Sequence, residues 1–188
     1  MDSKNNREIE LKFPLLNPTT LIEKLKLIAQ SEKGEDVQRD IYYTPFHRNF
    51  LDIKPISEWL RLRESKKGFS LNYKKWHNEK GDTISCDEFE TSLENTEVLK
   101  NIFKRLDFKE LITVEKNRIV FNYKDTEIAI DDVQGLGTFI EIESNGNFVS
   151  VEETEKHLHS VLMEIGAKVG TQDFEGYPSL LLKKKGMI

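Results

Sequence analysis

Glu8-Ile9-Glu10-Leu11-Lys12-Phe13 alternates charged and apolar side chains over six residues. Successive strand side chains point to opposite faces, so Glu8, Glu10 and Lys12 share one face and Ile9, Leu11 and Phe13 the other. Arg7 to Phe13 therefore reads as a half-buried strand, stopped by Pro14 and by Asn17-Pro18. The pattern recurs along the chain. Arg61 and Arg63 oppose Leu60 and Leu62, Glu141 and Glu143 oppose Ile140 and Ile142, and Glu127 and Asp131 oppose Ile128 and Ile130. Glu88 and Glu90 flank Phe89, Lys116 and Arg118 share a face, and Lys74 closes another strand.

One such strand is an ordinary solvated face. The repetition argues otherwise, because acids stand beside acids and bases beside bases, and like charges at this spacing repel. A wet lumen resolves the conflict if a polyanion lies among the bases and cations lie among the acids. A triphosphate with Mg²⁺ or Mn²⁺ satisfies both sets: hard cations take oxygen ligands, and Arg matches phosphate oxygens in a fork.

The remaining pattern is mostly strand. Val37 to Thr44, Glu58 to Glu64, Phe69 to Lys75, Ile84 to Thr91, Leu111 to Tyr123, Glu127 to Asp131 and Thr138 to Ser144 read as further strands, several joined by hairpin-length turns. Thr19 or Thr20 caps a helix carrying Leu21, Ile22, Leu25 and Ile28 on one stripe, with Gly34 ending that unit. Helices are also expected over Thr96 to Leu106 and Val151 to Ile165. Pro45 to Ser57 is the longest irregular stretch before the C-terminal region and reads as a surface loop. Without a linker, repeat or low-complexity tract, residues 1–188 read as one α+β domain, mainly antiparallel β, a barrel or sandwich.

Charged residues make up 32% and hydrophobic residues 37%, which fits strand surface given over to charge. A formal net charge of -5 argues against a nucleic-acid or anionic-membrane footprint. Cys86 is the lone cysteine, so no internal disulfide forms. With no apolar run of spanning length and a polar start from Met1 to Arg7, a cytoplasmic protein is expected, as monomer or homodimer.

Taken in order, these pieces resemble the triphosphate tunnel metalloenzymes, or CYTH superfamily. Glu8-Ile9-Glu10-Leu11-Lys12 is similar to that family's Glu-x-Glu-x-Lys opening, and Gln38-Arg39-Asp40-Ile41-Tyr42-Tyr43 to its second-strand motif. Leu60-Arg61-Leu62-Arg63, Asn72-Tyr73-Lys74, Glu88-Phe89-Glu90 and Lys116-Asn117-Arg118 follow in the family's order. So do Ile130-Asp131-Asp132-Val133 with Leu136 to Glu143, and Tyr177-Pro178-Ser179-Leu180-Leu181, the last resembling the adenylyl cyclase-like branch. The resemblance implies a closed eight-stranded β-barrel, the triphosphate tunnel, with helices packed outside. It puts Lys12, Arg61, Arg63, Lys74, Lys116 and Arg118 on phosphates, and Glu8, Glu10, Glu141, Glu143 and Asp131 around Mg²⁺ or Mn²⁺. Glu88 and Glu90 lie in the tunnel, and Lys116, Lys74 and Tyr42 are the candidate bases. Two positions depart from the pattern: Thr44 stands where the family often has an acid, and Cys86 where it often has an Arg, which removes one phosphate contact.

The class IV adenylyl cyclase-like branch implies conversion of ATP to cyclic AMP and pyrophosphate. The alternatives are hydrolysis of inorganic, thiamine or nucleoside triphosphates, and a polyphosphate- or nucleotide-binding protein without turnover. An apolar-ligand carrier is disfavoured, since charges beside a greasy ligand are costly. Glu10→Ala or Arg63→Ala is expected to lose turnover while staying folded. Trp59 reads as packing at a strand end. His157 and His159 diverge on a helix, and Gly135-Leu136-Gly137 reads as a turn.

Overall fold

The structure is a computed structural model and describes residues 9–78, 84–145 and 150–188. Among these, eight strands and four α-helices follow in the order β1 (Glu10–Pro14), α1 (Pro18–Ile28), β2 (Ser31–Pro45), β3 (Glu58–Ser65), β4 (Gly68–Asn78), β5 (Ile84–Leu93), α2 (Thr96–Arg105), β6 (Phe108–Tyr123), β7 (Thr126–Val133), β8 (Gly137–Ser144), α3 (Val151–Ile165) and α4 (Tyr177–Lys184). The strands form one eight-stranded antiparallel sheet in the order β1-β8-β7-β6-β2-β3-β4-β5, an α+β architecture. Arg7 and Glu8 lie outside the described residues.

The chain divides into two compact units, residues 1–35 with 117–176 and residues 36–116 with 177–188. The long strands β2 and β6 contribute to both.

In the first unit, Leu11, Phe13, Ile128, Ile130, Ile140 and Ile142 all point to one side of the sheet. There they pack with Leu21 and Leu25 of α1 and Leu158, Val161, Leu162 and Ile165 of α3. Alternation thus leaves the other face to Glu10, Lys12, Asp131, Glu141 and Glu143. β1 runs through Pro14, one residue past its expected end. The carbonyl edge of β1 that faces away from β8 is taken by a strap. The Leu16 N–H donates to the Lys168 carbonyl, Gly170 N–H to the Pro14 carbonyl and Asp173 N–H to the Lys12 carbonyl. That covers an edge that would otherwise invite foreign strands. β1 and β5 are the outer members of the strand order, so the expected closure is not part of this ladder.

The first helix starts differently from expectation. Pro18 occupies its first turn, where a fixed φ suits the helix and a missing N–H costs nothing. Neither Thr19 nor Thr20 is the cap. The boundary residue is Asn17, whose side chain makes no cap bond and instead accepts from Lys168 N–H and donates to the Gly166 carbonyl. Gly34 does not end a helical unit; it lies within β2. α3 spans the expected residues, starts on Ser150, whose hydroxyl accepts from Glu153 N–H, and ends on Gly166 at φ 76°.

In the second unit, Ile41, Tyr43, Leu60 and Leu62 pack with Phe103 of α2, with Leu71, Tyr73 and Leu99 alongside. The alternate positions Asp40, Tyr42, Arg61, Arg63, Asn72 and Lys74 take the opposite face. The stretch expected as a plain surface loop, 45–57, contains a short 3-10 turn at Phe50–Asp52 and is pinned at several points. Phe50 N–H donates to Thr44 Oγ1 at 2.8 Å, and Arg48 reaches Glu58 at 2.5 Å.

Candidate functional site

The first unit gathers its charges by register. Across β1 and β8, Glu10 faces Glu143 and Lys12 faces Glu141. Across β8 and β7, Glu143 faces Glu127 and Phe139 faces Asp131. Three carboxylates therefore stand in one row over three strands. Glu127 is drawn to Lys33, 2.7 Å away. Lys12 Nζ lies 2.8 Å from Glu141 and 3.7 Å from Glu10. Burial alone would favour the neutral amine of Lys12. Glu141 and Glu10, with Asp173 beyond them, outweigh it and hold the ammonium above the ordinary lysine range.

Arg118 on β6 completes this group. Its Nε donates to Asp131 Oδ1 at 2.7 Å and its Nη2 to Oδ2 at 2.5 Å, and the same Nη2 contacts Glu141. Asp131 is fully buried. Asp131, expected among the metal ligands, accepts from the guanidinium through both oxygens, the fork geometry that matches Arg best.

The second unit carries the other cluster. Arg63 makes a second fork, with Nε and Nη2 each 2.6 Å from an oxygen of Asp40. Burial would raise the Asp40 carboxyl, but Arg63, Arg61 and Lys116 outweigh it and hold it below the ordinary range. Arg61 is loosely held: Glu90 is 3.8 Å away, and its buried Nε–H has no hydrogen-bond partner among the described residues. Lys74 is 3.1 Å from Glu88, which also accepts from Asn72 at 2.8 Å. Glu88 and Glu90 are exposed, and Tyr42 is buried edge-on to Trp59 at 5.6 Å. Trp59 thus packs its ring against Tyr42. Lys116 is 5% exposed, and its ammonium lies 5.0 Å from the ring centroid of Tyr177 at the start of α4.

Of the expected site residues, Lys12, Glu10, Glu141, Glu143, Asp131 and Arg118 come together in the first unit, and Tyr42, Arg61, Arg63, Lys74, Lys116, Glu88 and Glu90 share the second. Glu8 and the side chain of Cys86 lie outside what the structure describes. Four further polar residues escaped the sequence reading as participants. Asp40 holds Arg63, Asn72 holds Glu88, Glu58 joins Arg48 to Tyr73, and Asp173 bonds the Lys12 backbone. The signal for Asp40 was its parity with Gln38 and Tyr42; its partner depends on a register no local pattern encodes. Thr44, a departure from the family pattern, is fully buried and anchors Phe50.

The donors suit a hard divalent cation. Glu10 and Glu143 are carboxylates facing each other in register, and Glu10 is half exposed, at 54% of its side chain. Among the described residues no three acidic, histidine or cysteine groups stand placed to hold a metal ion by themselves.

Two charged strand faces, each backed by helices on the apolar side, define a protein of the CYTH class: a CYTH domain model matches residues 6–177, and the chain belongs to that family. A protein of Methanocaldococcus jannaschii, provisionally named an adenylate cyclase, is 34% identical over 160 residues, covering 84% of this chain and 86% of its own. The PH1819 protein of Pyrococcus horikoshii OT3 superposes with TM-score 0.74 at 30% identity, over 94% of this chain and 99% of its own. HpAC1 of Hippeastrum, described as having a dominant triphosphatase activity, superposes with TM-score 0.62 at 16% identity over 96% of each chain. CYTH proteins process triphosphates and use divalent metals. No helix among the described residues is long and apolar enough to cross a membrane.

Proposed function

We propose that this chain is a divalent-metal-dependent adenylyl cyclase-like enzyme that converts ATP to cyclic AMP and pyrophosphate. The observation that carries the triphosphate part is Arg61. A guanidinium with a buried, unpartnered N–H costs roughly 1–3 kcal/mol, which a phosphate oxygen would recover. The cyclase part is supported by the provisional name of the relative at 34% identity.

In this reading residues 1–188 work as one tunnel domain. Arg61, Arg63, Lys74 and Lys116 bind phosphate oxygens, joined by Lys12 and Arg118, whose carboxylate partners fix their direction. Glu10, Glu141, Glu143 and Asp131 would hold Mg²⁺ or Mn²⁺, with Glu8, two residues before Glu10, as a further ligand. Bound there, the metal supplies charge neutralisation for the phosphates. The ribose 3′-oxygen forms a bond to the α-phosphorus, the bond from that phosphorus to the bridging oxygen breaks, and pyrophosphate leaves with the electron pair. The 3′-hydroxyl proton passes to a base among Lys116, Lys74 and Tyr42. Such chemistry asks mainly for positioning and charge cancellation, which fixed forks and buried ammoniums provide.

A second reading, hydrolysis of the terminal phosphate, is favoured at the level of the fold by the activity described for HpAC1. Phosphorus NMR of the products separates the two. With ATP and Mn²⁺, pyrophosphate together with cyclic AMP supports the cyclase, and orthophosphate with ADP supports the hydrolase.

A further inference from the structure

Three residues were candidate bases, and the surroundings of Lys116 set it apart. Its side chain is buried, yet the charged end meets the ring of Tyr177, itself 5% exposed, at 5.0 Å from the centroid. An aromatic face carries negative quadrupole potential, so it attracts an ammonium and gives a neutral amine nothing comparable. Asp40 on β2 also feels the charge of Lys116, and that carboxylate is shared with Arg63 and Arg61 of β3. The ring from α4 and the carboxylate from β2 favour the cation, while the two guanidiniums oppose it. Tyr177 is followed by Pro178 at the start of α4, where the fixed φ suits a first turn, so the ring is delivered by a defined backbone start.

We propose that Tyr177 is a positioning residue that holds Lys116 as a buried ammonium, so that Lys116 serves the triphosphate as a fixed cation and the proton passes to another group. The inference rests on the triphosphate reading for the identity of the ligand, but the Tyr177–Lys116 contact can be tested without turnover. It leaves Lys74 and Tyr42 as the remaining candidate bases.

The test follows the ¹³Cε resonance of Lys116 through a pH titration of the full chain, in wild type, Tyr177→Phe and Tyr177→Leu. Phe keeps the π face without the hydroxyl; Leu keeps apolar bulk without the face. The Lys116 midpoint is expected to be the same in wild type and Phe, and to fall by roughly one pH unit in Leu. If the Leu variant does not fold, Tyr177→Met gives the same comparison. A midpoint unchanged in Leu or Met, or equally lowered in Phe, overturns the proposal. A second arm records turnover of ATP and tripolyphosphate against pH. The high-pH fall in rate is expected to move to lower pH in Leu and stay in place in Phe. If Lys116→Met loses turnover while the Leu titration is unchanged, the positioning role fails and the triphosphate reading stands. If wild type binds and turns over no triphosphate, that reading fails, and the titration still decides the contact.

Discussion

Arg61 and Arg63 look equivalent in the sequence, two residues apart on one face, but the structure gives them different energetics. Arg63 forms a two-bond fork with a buried carboxylate, whereas Arg61 has a distant acid and an unsatisfied N–H. Arg61→Ala is therefore the cleaner probe of phosphate binding. Its turnover is expected to fall about 10²-fold, by analogy with loss of one transition-state donor, while the folding stability changes by less than about 1 kcal/mol. Steady-state kinetics beside a urea melt checks both. Arg63→Ala, expected from sequence to stay folded, would leave Asp40 buried and unpaired. It should lose roughly 2 kcal/mol of stability, toward the low side for such pairs because Arg63 keeps 20% of its side chain exposed. The pair also predicts a pH dependence. Asp40 titrates lower when folded than its unfolded value of 3.8, so its contribution is present above that pH and is lost as pH falls through the folded value. The stability gap between wild type and Asp40→Asn should thus be full at pH 7 and shrink below about pH 4. A gap that stays constant down to pH 2 contradicts the assignment.

At the scale of elements, period-2 alternation exposed both charged faces, and the 3.6-residue stripe of α3 gave its span. The starts of β2 and α1 were harder to read. Ser31 to Glu35 has no alternation and contains Gly34, so nothing local marks a strand. The extension is supported from outside, by Gln30 N–H on the Asn122 carbonyl, by Asn122 on Ser31 and by Lys33 on Glu127. The α1 boundary moved because Asn17 spends its side chain on the segment after α3 rather than on its own helix. That segment turns at Gly166, whose left-handed φ of 76° lets its N–H cap α3. A Cβ there would meet nothing closer than Lys24 Nζ at 3.6 Å, so the cost of Gly166→Ala is backbone strain alone. About 1 kcal/mol of destabilisation is expected by chemical melt. No loss, or a loss several times larger, would show that the turn is set by something else.

For the molecule as a whole, the sequence revealed which residues carry charge and which face they share, because alternation is local. It did not show which opposite charges would pair, because register is set by the full ladder. Lys12 with Glu141, Arg118 with Asp131 and Arg63 with Asp40 are all cross-strand choices of that kind. These pairs describe a protein whose cations and anions are already oriented, with Glu10 and Glu143 facing and Arg61 incompletely satisfied. Removing divalent metal with a chelator should abolish turnover while leaving the thermal melt within a few degrees, since the two apolar clusters are built from the chain's own strands and helices. Restoring Mn²⁺ or Mg²⁺ should recover the activity.

The most direct measurement is a calorimetric titration of tripolyphosphate, which lacks base and sugar, into wild type and Arg61→Ala in the presence of Mg²⁺. Saturable binding to wild type with about one equivalent per chain is expected, weakened roughly tenfold or more in Arg61→Ala. Absence of binding to wild type at millimolar tripolyphosphate, or equal affinity in the two proteins, would contradict it.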